Sequence, residues 1–193
     1  TAGPARLTRP NTNNPGVTDV LNVDLALADP LVTSLPWINA ANGIQVNGAI
    51  SGTGSLTLVT PAFPAAATTA GQLLDLTNPE NSFTGAVEVA NNILLYRGSV
   101  RRGTNSALGK STGPVRIGTA ASLVGSGTPS YSSIATMALR LQASDDTANY
   151  VFERDLDFSG TSGSVAAMGR ARFGIIADGA GGTNLNTLLV SGN

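Results

Sequence analysis

Three carboxylates stand at alternate positions late in the chain, Glu153, Asp155 and Asp157, with Arg154 and Leu156 between them. On an extended backbone alternate side chains leave from one face, so all three would point the same way. Such a row of oxygen donors suits a hard cation such as Ca²⁺. A carboxylate pair also suits acid/base attack on a sugar linkage. A plainer reading competes with both. The row is then a solvated outer face, its mutual repulsion eased by Arg154 or Arg140. We adopt that reading, so no catalytic residue and no cofactor are expected, and calcium at Glu153, Asp155 and Asp157 stays as the weak metal candidate.

Other groups offer less. Arg101 and Arg102 lie in an insert between strands and could meet an anionic glycan, but little aromatic support stands beside them. Asp145-Asp146 reads as a polar loop. Asp178-Gly-Ala-Gly-Gly-Thr lacks the Gly-Lys-Ser/Thr ending and the helix of a phosphate loop. Asn11, Asn81 and Asn184 do not complete an Asn-x-Ser/Thr acceptor. Trp37, the single tryptophan, follows Pro36 and is expected to plug one end of the core.

Composition narrows the chemistry further. The chain has no cysteine and no histidine. Disulfides, thiolate metal sites and the Ser-His-Asp triad are thereby excluded. Net charge is −1, which gives no field to attract nucleic acid. Charged residues make up only 12%, about half the usual share, so Asn, Thr, Ser and Gly must cover much of the surface. That suits flat β faces more than helices, whose exposed positions favour Glu and Lys. No apolar run is long enough to span a bilayer as a helix.

The elements that must position these residues are short strands. Val23, Leu25 and Leu27 alternate with polar or small residues, as do Ile44 and Val46, Leu56 and Leu58, Val87 and Val89, and Leu139 and Leu141. Between them lie turns rich in Asn, Gly, Ser and Thr. Two architectures fit: a parallel β-solenoid and an antiparallel β-sandwich. Asn42-Gly43, Asn47-Gly48 and Asp178-Gly179 are hairpin candidates for the sandwich. The solenoid accounts better for aliphatic strand cores, few aromatics and Asn/Gly corners taken together. Residues 1–36, with Pro4, Pro10, Pro15, Pro30 and Pro36, read as an extended arm or cap. Residues 37–193 read as the solenoid module.

One stretch carries a resemblance. Leu74 and Leu76 lead to Asn81, Phe83, Thr84 and Gly85, then Val87 and Val89. Asn105, Ser106, Ala107, Leu108 and Gly109 follow, then Val115 and Ile117. This resembles the autotransporter-associated β-strand repeat, over about half the chain. The resemblance implies a right-handed parallel β-helix in an extracellular or cell-surface bacterial protein with a structural or adhesive role. The sequence departs from the repeat at Pro79-Glu80 and at the insert 97–104, which holds Arg97, Arg101 and Arg102.

The expected function is a stalk, fibre segment or adhesin scaffold without chemistry of its own. Partners would be like modules stacked end to end, with Val23, Leu25, Leu27, Leu188 and Val190 at the joints, and surface glycans as a further candidate. Residues 185–193 look like the start of another copy, left unfinished at Ser191-Gly192-Asn193, so a longer parent protein is expected. The rivals are a polysaccharide-active β-helix enzyme and a β-sandwich coat or fibre subunit.

Overall fold

A computed structural model describes residues 4–8, 18–34, 43–59, 73–90, 93–118, 136–142, 149–158, 170–176 and 187–191. All regular structure among them is β. The strands are β1 (Ala5–Thr8), β2 (Thr18–Leu21), β3 (Leu25–Leu27), β4 (Leu31–Ser34), β5 (Gly43–Val46), β6 (Ile50–Gly52), β7 (Leu56–Val59) and β8 (Leu73–Leu76). They continue as β9 (Val87–Val89), β10 (Ile93–Tyr96), β11 (Val115–Ile117), β12 (Thr136–Gln142), β13 (Asn149–Phe152), β14 (Leu156–Asp157), β15 (Arg170–Ile176) and β16 (Thr187–Val190).

Two six-stranded sheets form, one in the order β1-β4-β7-β9-β11-β14 and one in the order β15-β12-β10-β8-β5-β2. Two strand pairs, β3-β6 and β13-β16, complete the set. Every pairing among the described strands is parallel. The antiparallel sandwich predicts opposite directions, so these pairings speak against it. Asn47-Gly48 turns no hairpin; it follows β5 and leads into β6. Parallel neighbours need a crossover, and here the crossover is the visit to the other sheets. β2, β3 and β4 fall in three different sheets, and β5, β6 and β7 lie beside them in the same sequence.

Register turns the alternating pattern into columns. In the second sheet Asp19, Ile44, Leu74, Leu94, Leu139 and Phe173 are successive partners. Two residues along, Leu21, Val46, Leu76, Tyr96, Leu141 and Ile175 form another column. In the first sheet Leu31, Leu56, Val87 and Val115 align, with Leu156 beyond. The buried members of these columns make one hydrophobic core with Phe83, Leu108 and Phe152. A fully buried Leu or Val contributes about 1.5–3 kcal/mol. A slip of one residue would turn each such set outward, so burial locks the register.

The stretch expected as an extended arm or cap carries four strands, each paired in one of these sheets. The alternation expected through Val23, Leu25 and Leu27 is not one strand: β2 ends at Leu21 and β3 starts at Leu25, with Val23 between them. Two inward positions are imperfect. The Tyr96 hydroxyl is buried without a partner, and burial pushes its pKa far up. The buried Thr33 hydroxyl also lacks one.

Candidate functional site

The carboxylate row sits where the chain leaves β13 and enters β14. Its three members do not converge; each faces an arginine. Arg101 Nη1 meets Glu153 Oε1 at 2.8 Å, and Arg102 Nη2 meets Asp155 Oδ1 at 2.8 Å. Arg116 Nε lies 3.3 Å from Asp157 Oδ2. The Arg102 backbone N–H also donates to Glu153 Oε2, at 3.3 Å. A cation would have to displace three guanidinium groups to reach these oxygens. The donor set therefore does not fit calcium, and among the described residues no cluster of three or more Asp, Glu, His or Cys could hold a metal ion.

The arginines are not those expected. Arg101 and Arg102, read as a candidate glycan contact, are engaged with Glu153 and Asp155 instead. Arg154, read as a partner for the row, points the other way. Alternation places it on the face of Phe152 and Leu156, and it is completely buried (0% exposed). There it makes three hydrogen bonds to backbone. Nη1 donates to the Leu108 carbonyl at 2.9 Å, Nε to Gly113 at 2.9 Å and Nη2 to Pro114 at 3.3 Å. Burial, aided by the nearby charge of Arg102, lowers its pKa to about 10, so it stays cationic at neutral pH. A buried guanidinium needs such acceptors, because an unpaired buried charge is costly. Its effect is to tie the 108–114 turn to the following pass of the chain.

The earlier passes are tied by amides. Asn47 Nδ2 donates to Asn22 Oδ1 at 2.8 Å, and Asn78 Nδ2 donates to the Asn47 carbonyl at 3.2 Å. Gln45 Nε2 and Thr77 Oγ1 both donate to Asn47 Oδ1, each at 2.7 Å. Asn81 works in the core itself. Its Oδ1 accepts from the Ile50 N–H at 2.8 Å, and its Nδ2 donates to the Ala107 carbonyl at 2.9 Å. One side chain thus spans three successive passes. Asparagine suits this because it carries an acceptor and a donor on one short stem.

The structure places the residues that carried the resemblance as follows. Leu74, Leu76, Phe83, Val87, Val89, Ala107, Leu108, Val115 and Ile117 are all buried, and Asn81 bridges them. Thr84 is exposed, and its backbone N–H donates to the Gly52 carbonyl at 2.9 Å. A Cβ at Gly85 would collide with the Gly54 carbonyl of the previous pass. Gly109 has φ +72°, and a Cβ there would run into the Phe83 carbonyl. Residues 97–104 make contacts of their own. Arg97 pairs with Asp75 at 2.8 Å on the second sheet, and the next two arginines reach the carboxylate row.

Of the residues expected at joints, Val23 is exposed (57%), Leu25 is partly covered and Leu27 is buried. Leu25 and Leu27 pair within the chain, with Ile50 and Gly52. Leu188 pairs with Tyr150 in β16, and Val190 is 47% exposed. Trp37, Asp145-Asp146, Asp178-Gly179 and Asn42 lie outside the described residues.

The sequence reading missed the asparagine chain, the Asp75–Arg97 pair and the burial of Arg154. A signal existed for two of them. Asn22, Asn47 and Asn78 recur at the spacing of successive passes. Arg154 alternates with apolar Phe152 and Leu156, which assigns it to the inner face.

No protein-family model, curated protein or solved structure matches the chain.

Proposed function

We propose that this chain is a right-handed parallel β-solenoid module of an extracellular bacterial surface protein or fibre, acting as a stalk or scaffold and performing no reaction. The observation that carries the reading is column continuity: the line from Ile44 through Leu74, Leu94 and Leu139 to Phe173 uses one residue from each pass. Stability in such a stack comes from neighbouring passes. The handedness follows from the general rule for parallel crossovers. The described polar groups support a structural role, since each carboxylate of the row is paired and the buried Arg154 and Asn81 bond to backbone. The rival enzyme needs free carboxylates along one face, which this row does not offer.

Like modules would stack end to end, continuing both large sheets. The test is exposure on the cell. Antibody raised against the module labels intact cells of the source organism as strongly as permeabilised ones. Labelling that requires permeabilisation overturns the surface reading. Release of reducing ends from bacterial or plant polysaccharides by the purified chain would overturn the non-enzymatic one.

A further inference from the structure

The corner between β5 and β6 carries the pair Asn47-Gly48, and the structure constrains both residues. A Cβ at Gly48 would collide with the Val23 carbonyl of the previous pass, so no side chain fits there. Asn47 must be donor and acceptor at once. Its Oδ1 accepts from Gln45 Nε2 and Thr77 Oγ1, while its Nδ2 donates to Asn22 Oδ1. The flanking backbone is tied as well. The Asn47 N–H donates to the Leu21 carbonyl at 2.8 Å, and the Ala49 N–H donates to Asp24 Oδ1 at 2.7 Å. The corner thus calls for asparagine followed by glycine. In that order an unhindered backbone nitrogen stands next to a side-chain amide.

We propose that Asn47-Gly48 is a modification site, where the chain forms isoaspartate whenever this corner opens. The Gly48 nitrogen attacks Asn47 Cγ and gives up its proton through water. The Cγ–Nδ2 bond breaks, and Nδ2 leaves as ammonia. Water then opens the succinimide ring, at Cγ to give aspartate or at the main-chain carbonyl to give isoaspartate. One water enters, one ammonia leaves, and no other reactant is needed. Ring closure requires the carboxamide to turn toward Gly48, and its bonds to Gln45, Thr77 and Asn22 hold it away. The reaction therefore waits on local opening. The neighbouring amides lack this chemistry: Asn22 precedes the branched Val23, and Asn78 precedes Pro79, which has no N–H. Isoaspartate routes the main chain through Cγ, one atom longer, at a corner already closed against Val23. It also removes the Nδ2 that reached Asn22. The change is one-way, and it loosens the tie between the first passes. The site stands independently of the stacked-module reading.

The experiment incubates the full chain in warm, mildly alkaline buffer and follows residue 47 by peptide mapping with fragmentation. Such mapping separates it from Asn42, the other asparagine before glycine in the sequence. Residue 47 converts at least about tenfold more slowly in the folded chain than in the same chain in urea. The double variant Asn22→Ala/Thr77→Val frees the carboxamide and raises the folded rate about threefold or more, with the rate in urea unchanged. Asn22→Ala alone gives a smaller rise and serves if the double variant does not fold. The isoaspartate fraction unfolds at lower urea than unmodified chain. If residue 47 does not convert even in urea, the site is overturned. Equal rates in folded and unfolded chain would show that the corner restrains nothing. A folded Asn22→Ala/Thr77→Val chain that converts no faster than wild type, or modified chain with an unchanged urea midpoint, would overturn the link between this corner and the reaction. None of these results bears on stacking.

Discussion

Between β5 and β9 the chain is held by amides; between β10 and β14 it is held by guanidinium groups. The difference tracks the length of each pass. Asn47 reaches Asn22 across 25 residues, and the Ile50–Asn81 and Asn81–Ala107 bonds cross 31 and 26. In the later region Arg154 reaches Leu108 across 46 residues, and Arg101 reaches Glu153 across 52. Both kinds of contact join one pass to the next. Short passes keep their corners in line at the spacing of neighbouring strands, about 4.8 Å, and an amide spans that gap. Where the joined residues are farther apart in sequence, a long side chain with several donors makes the link. The same stack is therefore secured by a repeated short link in one part and by individual long braces in the other.

The sharpest way to break this comparison is to remove the buried brace. Arg154→Met keeps the length and apolar stem but leaves the Leu108, Gly113 and Pro114 carbonyls without their donor. The expected loss is about 2–4 kcal/mol in urea unfolding, because three carbonyls, that of Leu108 buried, lose a charged donor. Arg154→Lys keeps the charge but not the fork, and recovers less than half of it. A neutral or stabilising Arg154→Met would mean that the turn is held by packing alone. On the amide side the matching change is Asn81→Ala. It strands the Ile50 N–H and the Ala107 carbonyl, both buried, at a cost of about 2–4 kcal/mol. Asn47→Ala removes a half-exposed link whose partners can turn to water. About 0.5–1.5 kcal/mol is expected there. An Asn47 effect as large as that of Asn81 would show that the outer chain of amides carries the corner.

Much of this was legible in the residue pattern. Strict alternation at Ile44–Val46, Leu56–Leu58 and Val87–Val89 located strands and their inner faces, because the period of two is a geometric property of extended chain. Direction of pairing was legible only indirectly, from the scarcity of aromatics and from Asn-rich corners. The first turns escaped because Val23, between Leu21 and Leu25, continues the alternation by accident: the backbone bends there, and Val23 is exposed. The partners of the carboxylate row escaped for a different reason. Arg101 and Glu153 are distant in sequence, and nothing local tells a loop which later loop it will lie against. Arg154 was misassigned by its type alone. Its neighbours at alternate positions placed it indoors, and the expectation that arginine seeks water overrode them.

The weakest links sharpen the contrast from below. Arg101–Glu153 and Arg116–Asp157 are also long-range arginine contacts, but their arginine side chains are 55% and 56% exposed. Water screens such pairs, and ordering two long side chains offsets most of the attraction. Arg101→Ala and Arg116→Ala are each expected to cost about 1 kcal/mol or less, and the difference from wild type should vanish near 1 M NaCl. Arg102 stands between the two classes. It pairs with Asp155 and also donates to the Thr112 and Glu153 carbonyls at 3.2 and 3.3 Å. Hydrogen bonds to backbone are screened less than an ion pair. A salt titration therefore separates the parts: the Arg102→Ala deficit shrinks with salt but persists, while those of Arg101→Ala and Arg116→Ala disappear. If all three deficits survive high salt, these arginines are braces of the same kind as Arg154, and burial is not what distinguishes them.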